Sequence, residues 1–430
     1  MIRRERNELR PGIPPPASFI RSVMQEHQAH LPRLEKLHDY YALRTPILHR
    51  TRPEGLPNHQ LTHAYARYIV AVSAGYLGKA VYTGGRNLPA LLDAFSASDM
   101  DSLDAELARY QSLYGVGCEL VYADEETCVR SCALDPRSAF VVYSADAACE
   151  PLCGIYYRPM ADGLGRVREF AVTICTKSHL YEYRTPCLTQ PSRYTAPHAR
   201  PHYFGRVPLI EYWNNEEETG DFESVLSLMD AYDTLQSDRM NDQSQTVDAL
   251  LVITGAQLME DESGRSPAKQ LRQDKILYLP DSDAKAEFLD RPVSGGDAEV
   301  LRKALQEDIH KFSMVPDLSD EQFAGNASGV ALRYKLLALE QQTAVKERWF
   351  RQGLRERMRM WCKFLSLKGE KVPDPRDIAL SFERTLPQDI AQIAQTVKTL
   401  EGIVPNEVLV GQLPFIDKEK GMAYERSRND

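Results

Sequence analysis

The sequence predicts an α+β protein whose helical and β-rich stretches occupy separate blocks of the chain. Apolar residues recur every three or four positions over 16–44, 58–78, 221–248 and 330–368, the period of a helix with one buried side. Between 116 and 185 the pattern changes to short β-rich runs separated by turn signals, which predicts a small antiparallel sheet covered by the flanking helices. A second, smaller β-containing stretch at 249–292 sits between two helical patterns.

The first helix carries Phe19, Val23, His27, Leu31, Leu34 and Leu37 on one side. Three prolines and a glycine make 46–57 a loop. The next helix, 58–78, uses Leu61, Tyr65, Tyr68, Ile69 and Val72 and ends at Gly75 to Gly78. A short helix follows at 101–113. The strands read from Glu119 to Tyr122, Ala139 to Tyr143, Gly154 to Tyr157, Glu169 to Ile174 and His179 to Tyr183. Residues 221–248 form one helix of ~42 Å. Its first half is amphipathic through Phe222, Val225, Met229 and Tyr232, but Asp238 to Gln245 has almost no apolar side. A helix that turns polar midway lines solvent or packs on copies of itself. Strands are expected at Leu250–Ile253, Lys275–Leu279 and Ala286–Leu289, then a helix at 297–312 capped by Asp297. Asp317 to Gly329 is a polar loop. The longest helix, 330–368, buries Leu332, Leu336, Leu339, Thr343, Phe350, Leu354, Trp361 and Leu365. A strand at Ile378–Phe382 and a helix at Asp389–Leu400 precede a charged tail.

At 430 residues the chain has length for two or three domains. It has no run of 18 apolar residues, so no transmembrane helix is expected, and its start lacks the apolar core of a secretory signal. Seven of eight cysteines fall between Cys118 and Cys187. The Cys128-x3-Cys132 and Cys149-x3-Cys153 spacings lie in strand-like sequence and are not zinc knuckles. Reduced, packed thiols of a cytosolic protein are expected. The net charge of −9 argues against a broad, tight grip on duplex DNA.

Charge is segregated. From Glu211 to Asp248 eleven acids face one base, Arg239. From Val330 to Lys368 ten bases face three acids. Each run can be a solvated helix side. A net −10 also repels itself unless an opposite surface neutralises it, which a ring of copies would supply.

No enzyme motif emerges. Gly75-Tyr-Leu-Gly78-Lys79-Ala80 has too short a glycine gap for a phosphate loop and lacks Ser or Thr after Lys79. Asp317, Asp320 and Glu321 could hold Mg²⁺ for a metal-dependent nuclease, but no base beside them would stabilise a leaving phosphate. Neither catalytic residues, metal ligands nor a cofactor are expected.

The run from Tyr203 to Glu216 (YFGRVPLIEYWNNE) is followed by Gly220 to Glu223, Asp230 to Asp233 and Gln236 to Asp238. With Pro316 to Ala331 (PDLSDEQFAGNASGVA), Thr385 to Pro387, Gly402 to Pro405 and Gln412 to Phe415, this resembles the portal proteins of long-tailed double-stranded DNA bacteriophages. Within them it is closest in kind to the family of Bacillus-type siphophages and related prophages. Weaker similarity covers Gly75 to Gly85 and Leu134 to Arg137.

That resemblance implies a portal fold with a helical and β wing (1–220), a stem helix (221–249), a small β-containing clip (250–296) and a second stem helix (297–315). A tunnel loop (316–329), a long wing helix (330–370) and a short helical crown with the tail (371–430) complete it. It also implies a ring of this chain, usually of twelve subunits, at one capsid vertex of the virion, assembled in the host cytoplasm. Double-stranded DNA would pass through it. Partners would be the terminase large subunit, head-completion or adaptor proteins, and the major capsid and scaffolding proteins. No membrane is involved. Asp238, Asp242 and Gln245 would lie at the channel wall or subunit seam. Asp317, Asp320, Glu321, Gln322, Phe323 and Asn326 would form the loop that reaches inward, with Phe323 an anchor or a DNA contact. Arg333, Lys335 and Arg348 would meet a neighbour's acids. The rival readings are a metal-dependent nuclease and a monomeric adaptor with no channel.

Overall fold

The computed structural model describes residues 1–54, 56–247, 251–254, 285–288, 295–319, 334–384, 395 and 398–400. The chain divides into two units. The first comprises Met1–His38, Ala66–Glu223 and Ser313–Asp430; the second comprises Asp39–Tyr65 and Ser224–Phe312.

The elements in chain order are β1 (Ile2–Arg4), α1 (Ala17–Tyr41), α2 (Tyr65–Leu77), β2 (Lys79–Thr83), α3 (Leu88–Ser96) and α4 (Met100–Tyr114). Then come β3 (Val116–Ala123), β4 (Val129–Leu134), β5 (Ala139–Ser144), β6 (Pro151–Ala161), β7 (Val167–Cys175), β8 (His179–Thr185), β9 (His198–Pro201) and β10 (Leu209–Trp213). The remainder are α5 (Leu226–Val247), β11 (Leu251–Thr254), β12 (Lys285–Phe288), α6 (Gly295–Ser313), α7 (Leu337–Leu367) and β13 (Ala379–Glu383).

In the first unit the expected sheet is two sheets. Six strands run in the order β1-β5-β6-β7-β8-β9, and three in the order β10-β3-β4. β1 pairs with β5 in parallel, so the larger sheet is mixed. Strict alternation sends Phe140, Val142, Ile155, Tyr157, Val172, Ile174, Tyr181 and Tyr183 to one face, where Phe19, Ile20, Val23 and Met24 of α1 cover them. The smaller sheet packs on α4 and α7 through Leu107, Val121, Tyr212, Phe350, Leu354 and Trp361. β13 pairs with β2, closing a connection of nearly 300 residues between two short strands.

Two glycines permit close packing. Gly353 on α7 lies where a Cβ would stand 2.4 Å from the Tyr212 ring. Gly115 ends α4 at φ 85°, with a would-be Cβ 1.9 Å from the Glu218 carbonyl oxygen. Any side chain at either position would displace the β10 region from its helix neighbours.

The basic helix α7 is not simply a solvated side. Lys346 and Arg357 lie three helical turns apart and both are buried. Lys346 Nζ donates to Ser112 Oγ at 2.6 Å and to the buried Asp221. Arg357 Nε donates to both oxygens of buried Glu119 at 2.9 and 3.0 Å, and its Nη1 to Asp104 at 2.6 Å. The Tyr212 hydroxyl donates to the same Glu119 carboxylate. Removing one partner from such a set typically costs about 3–5 kcal/mol, because the other charge stays buried. These pairs fix α7 against α4 and β3.

All eight cysteines are free thiols in the described structure. Burial pushes the Cys118, Cys153 and Cys175 thiols up, which keeps them neutral and packed.

Glu211 on β10 accepts from the Val141 backbone N–H at 2.8 Å and from Trp213 Nε1–H at 3.1 Å. Desolvation, helped by the charge of Glu218, raises its carboxyl from 4.5 to about 7. A raised acid binds an extra proton on folding, so its contribution is complete below about 4.5 and is lost as pH rises through about 7. Glu211→Gln removes the charge but keeps only one acceptor oxygen, so its amide NH2 faces either the Val141 or the Trp213 donor. The variant should be less stable than the native chain at acidic pH, and the gap should narrow by roughly 1–3 kcal/mol between pH 4.5 and pH 8, as read from urea unfolding. Equal pH profiles for the two would refute this assignment.

Candidate functional site

The polar half of α5 has an occupant that sequence periodicity does not reveal. Residues 59–63 were expected to open a helix; they form neither helix nor strand, and the helix starts only at Tyr65. Within the second unit their alternate amides reach side chains one turn apart on α5. His59 N–H donates to Asn241 Oδ1 at 2.7 Å, Leu61 N–H to Ser237 Oγ at 3.0 Å, and His63 N–H to Asp233 Oδ1 at 3.1 Å. Two extended residues advance about 6.7 Å and four helical ones about 6.0 Å, so the two ladders stay in step over three rungs. Asp233, Ser237 and Asn241 are all buried. Ser237 relays its proton to the Asp233 carbonyl at 2.6 Å, while Asp233 Oδ2 accepts from Thr45 Oγ1 at 3.0 Å. The helix therefore packs on its own chain, neither on solvent nor on a copy along this side.

Part of the acid run is also met within the chain. Asp238 pairs with Arg50 at 2.7 Å and with Arg52. Asp230 accepts from the Tyr40 hydroxyl at 2.8 Å, which with desolvation raises the tyrosine. Glu223 pairs with Arg33 at 2.6 Å, and Asp221 with Lys346. These pairs offset part of the acid surplus between 211 and 248 within the chain, so the charge run overstates what a neighbouring molecule would have to neutralise. Asp242 is exposed on α5 beside exposed Met240 and Gln243. Gln245 lies within α5.

In the first unit the start of the polar loop is tied down by α2. The Tyr68 hydroxyl donates to the Pro316 carbonyl at 2.7 Å and accepts from the Leu318 N–H at 2.8 Å, straddling Asp317. Asp317 itself folds back, with Oδ1 accepting from the Ser319 N–H at 3.0 Å and hydroxyl at 2.6 Å. Eight residues on, Tyr76 donates to Glu340 at 2.9 Å near the start of α7, and Arg384 pairs with Glu340 at 2.6 Å and Glu347 at 3.0 Å. One helix thus holds the chain on both sides of 320–333. Asp320, Glu321, Gln322, Phe323, Asn326 and Arg333 lie outside the described residues, as do the expected strand 275–279 and most of the expected helix 389–400. Lys335 is half-buried; Arg348 is exposed and has no ion pair among the described residues. No signal in the sequence singled out Tyr68 or the Asn241–Ser237–Asp233 ladder, because each works through backbone groups distant along the chain.

Among the described residues no group of three His, Cys, Asp or Glu side chains is placed to hold a metal ion, and no helix is long and apolar enough to cross a membrane. The ladder makes a specific prediction. Asn241→Leu keeps the branching and heavy-atom count of the side chain but strands the His59 N–H, so urea unfolding should show a loss of about 1–3 kcal/mol. Gln243→Leu, on the exposed side, should change stability by less than about 0.5 kcal/mol. Equal effects would contradict the ladder.

The profile described as phage portal protein, SPP1 Gp6-like, matches residues 20–428. The portal protein of Bacillus phage SPP1 is 25% identical over 385 residues, spanning 85% of this chain and 75% of that protein. The portal protein of Clostridium phage phiCD119 is 23% identical over 275 residues, 61% of this chain and 58% of that protein. Portal proteins are structural components of the phage particle rather than enzymes, and the chain belongs to the SPP1-like phage portal protein family.

Proposed function

We propose that copies of this chain close into a ring at one capsid vertex, through which double-stranded DNA enters during packaging and leaves during ejection. The observation that carries this reading is the family match, which runs from residue 20 to residue 428. Terminase would drive DNA through the ring, and head-completion or adaptor proteins would dock on it afterwards; major capsid and scaffolding proteins would hold it in the shell. ATP hydrolysis would belong to terminase.

A conduit must confine DNA without gripping it, because each Lys or Arg contact with phosphate adds affinity through counterion release. The polar half of α5 and the 316–329 loop supply few such contacts. Asp238 is a poor source of repulsion because two arginines offset it. We assign that role to exposed Asp242, with Gln243 and Gln245 beside it, and to Asp320 and Glu321 of the loop, with Gln322 and Asn326. Phe323 is assigned as a loop anchor. Tyr68 and Tyr76 would set the loop's two ends. Arg348, exposed and unpaired among the described residues, is the strongest of the three candidate contacts to a neighbour, ahead of Lys335 and Arg333.

Native mass spectrometry of the purified chain at micromolar concentration, with negative-stain microscopy, tests the reading. A closed ring with a central opening is expected, and Arg348→Glu should shift the mass distribution toward monomer without lowering the melting temperature. A native chain that stays monomeric when supplied with capsid and scaffolding proteins would overturn it.

A further inference from the structure

One end of the larger sheet carries a charge opposite to that of the chain. The whole chain is −9, yet from Arg158 to Arg200 seven bases meet three acids. Strands β6 to β9 gather this stretch at one side of the six-stranded sheet. Arg158 pairs with Ala171, and Ala171 with Arg184, so the three side chains form one row on one face. Tyr157, Val172 and Tyr183 point to the other face, in the core under α1. Strands lie about 4.8 Å apart, so the two arginines rise about 10 Å apart with only a methyl group between them.

Farther along that face β10 covers the sheet: a Cβ on Gly154 would stand 2.4 Å from Leu209 Cβ. The cover does not reach the arginine row, where Arg158 and Arg184 are exposed; Arg184 already pairs with Glu169 of β7 at 3.4 Å, and Arg158 does not. Next to the row is the β6–β7 turn. Asp162 holds it, accepting from the Leu164 N–H at 2.9 Å, the Arg166 N–H at 3.0 Å and Arg168 Nε at 2.8 Å. The turn presents Arg166 with Leu164, 78% exposed, and Val167, 53% exposed. The side chains of Arg158 and Arg166 make no hydrogen bond or ion pair among the described residues.

The unpaired guanidinium groups of Arg158 and Arg166 beside exposed aliphatic side chains match carboxylates interleaved with apolar residues. The guanidinium fork takes a carboxylate through two parallel bonds, and Leu164 and Val167 offer apolar area for burial. A phosphate backbone would leave those aliphatic groups wet. We propose that this sheet end is a docking surface for an acidic, apolar-containing segment of a second protein. Placing that partner in the phage particle rests on the function proposed above; the chemistry of the surface does not.

The test is fluorescence anisotropy of a labelled peptide of alternating Glu and Val with the full chain at low salt. Arg158→Gln/Arg184→Gln should weaken binding about tenfold, whereas Arg355→Gln on α7 with Lys368→Gln just after it, an equal change of charge, should leave it unchanged. Leu164→Ser, at an exposed turn, should also weaken it, and it decides the matter if the double arginine variant melts early. No binding, or equal weakening by both double variants, overturns the proposal. So does displacement of the peptide by charge-matched duplex DNA as readily as by unlabelled peptide, which would make the ligand a nucleic acid. A smaller assembly mass for Arg158→Gln/Arg184→Gln would make it a second copy, again against the proposal. A chain that binds the peptide through this row yet never forms a ring would uphold the surface and refute the ring.

Discussion

A buried polar group must meet a partner at hydrogen-bonding distance, and this chain satisfies that requirement mostly within itself. The clearest case is α5. Burying Asp233, Ser237 and Asn241 in a row would be costly on a bare helix. It works because residues 59, 61 and 63 deliver donors with nearly the same spacing. An extended backbone has unpaired amides on every second residue, and a helix repeats a side every fourth. The near equality of those two distances lets a strand-like segment lie along a helix without a sheet. The polar pattern of 238–245 is thus compatible with a fixed position in the fold.

The same rule governs the basic helix α7, whose Lys346 and Arg357 are consumed by Asp221, Glu119 and Asp104. Opposite charge runs in a sequence therefore say little about contacts between copies until the pairs inside one copy have been subtracted. What remains after subtraction is smaller and differently placed. On the acidic side it includes Glu216 and Glu217; on the basic side it includes Arg348, Arg355, Arg158 and Arg166.

Much of the architecture was legible in the sequence. The apolar stripes of α1, α5 and α7 and the alternation in β5 to β8 are local signals, and local periodicity reads them well. The long phrase from Tyr203 to Glu216 and the one from Pro316 to Ala331 carried the family. The misreadings share one cause, dependence on residues far away in the chain. β1 is three residues that exist as a strand only beside β5. β2, which the sequence did not suggest, is a strand only beside β13, whose own pattern was read. The 59–63 segment has helix-compatible residues, but its amides are claimed by α5. Of the site, α5 was found by its loss of an apolar side, whereas the Arg50 and Arg52 partners of Asp238 left no local signal.

The most direct measurement is amide hydrogen exchange at His59, Leu61 and His63 in dilute chain before any assembly, compared with the assembled form. If α5 is completed by its own chain, the three amides exchange slowly in both, at rates set by opening of the second unit. Rapid exchange in the dilute chain, slowing only on assembly, would mean that the polar side of α5 waits for a neighbour, and the intrachain ladder would have to be abandoned.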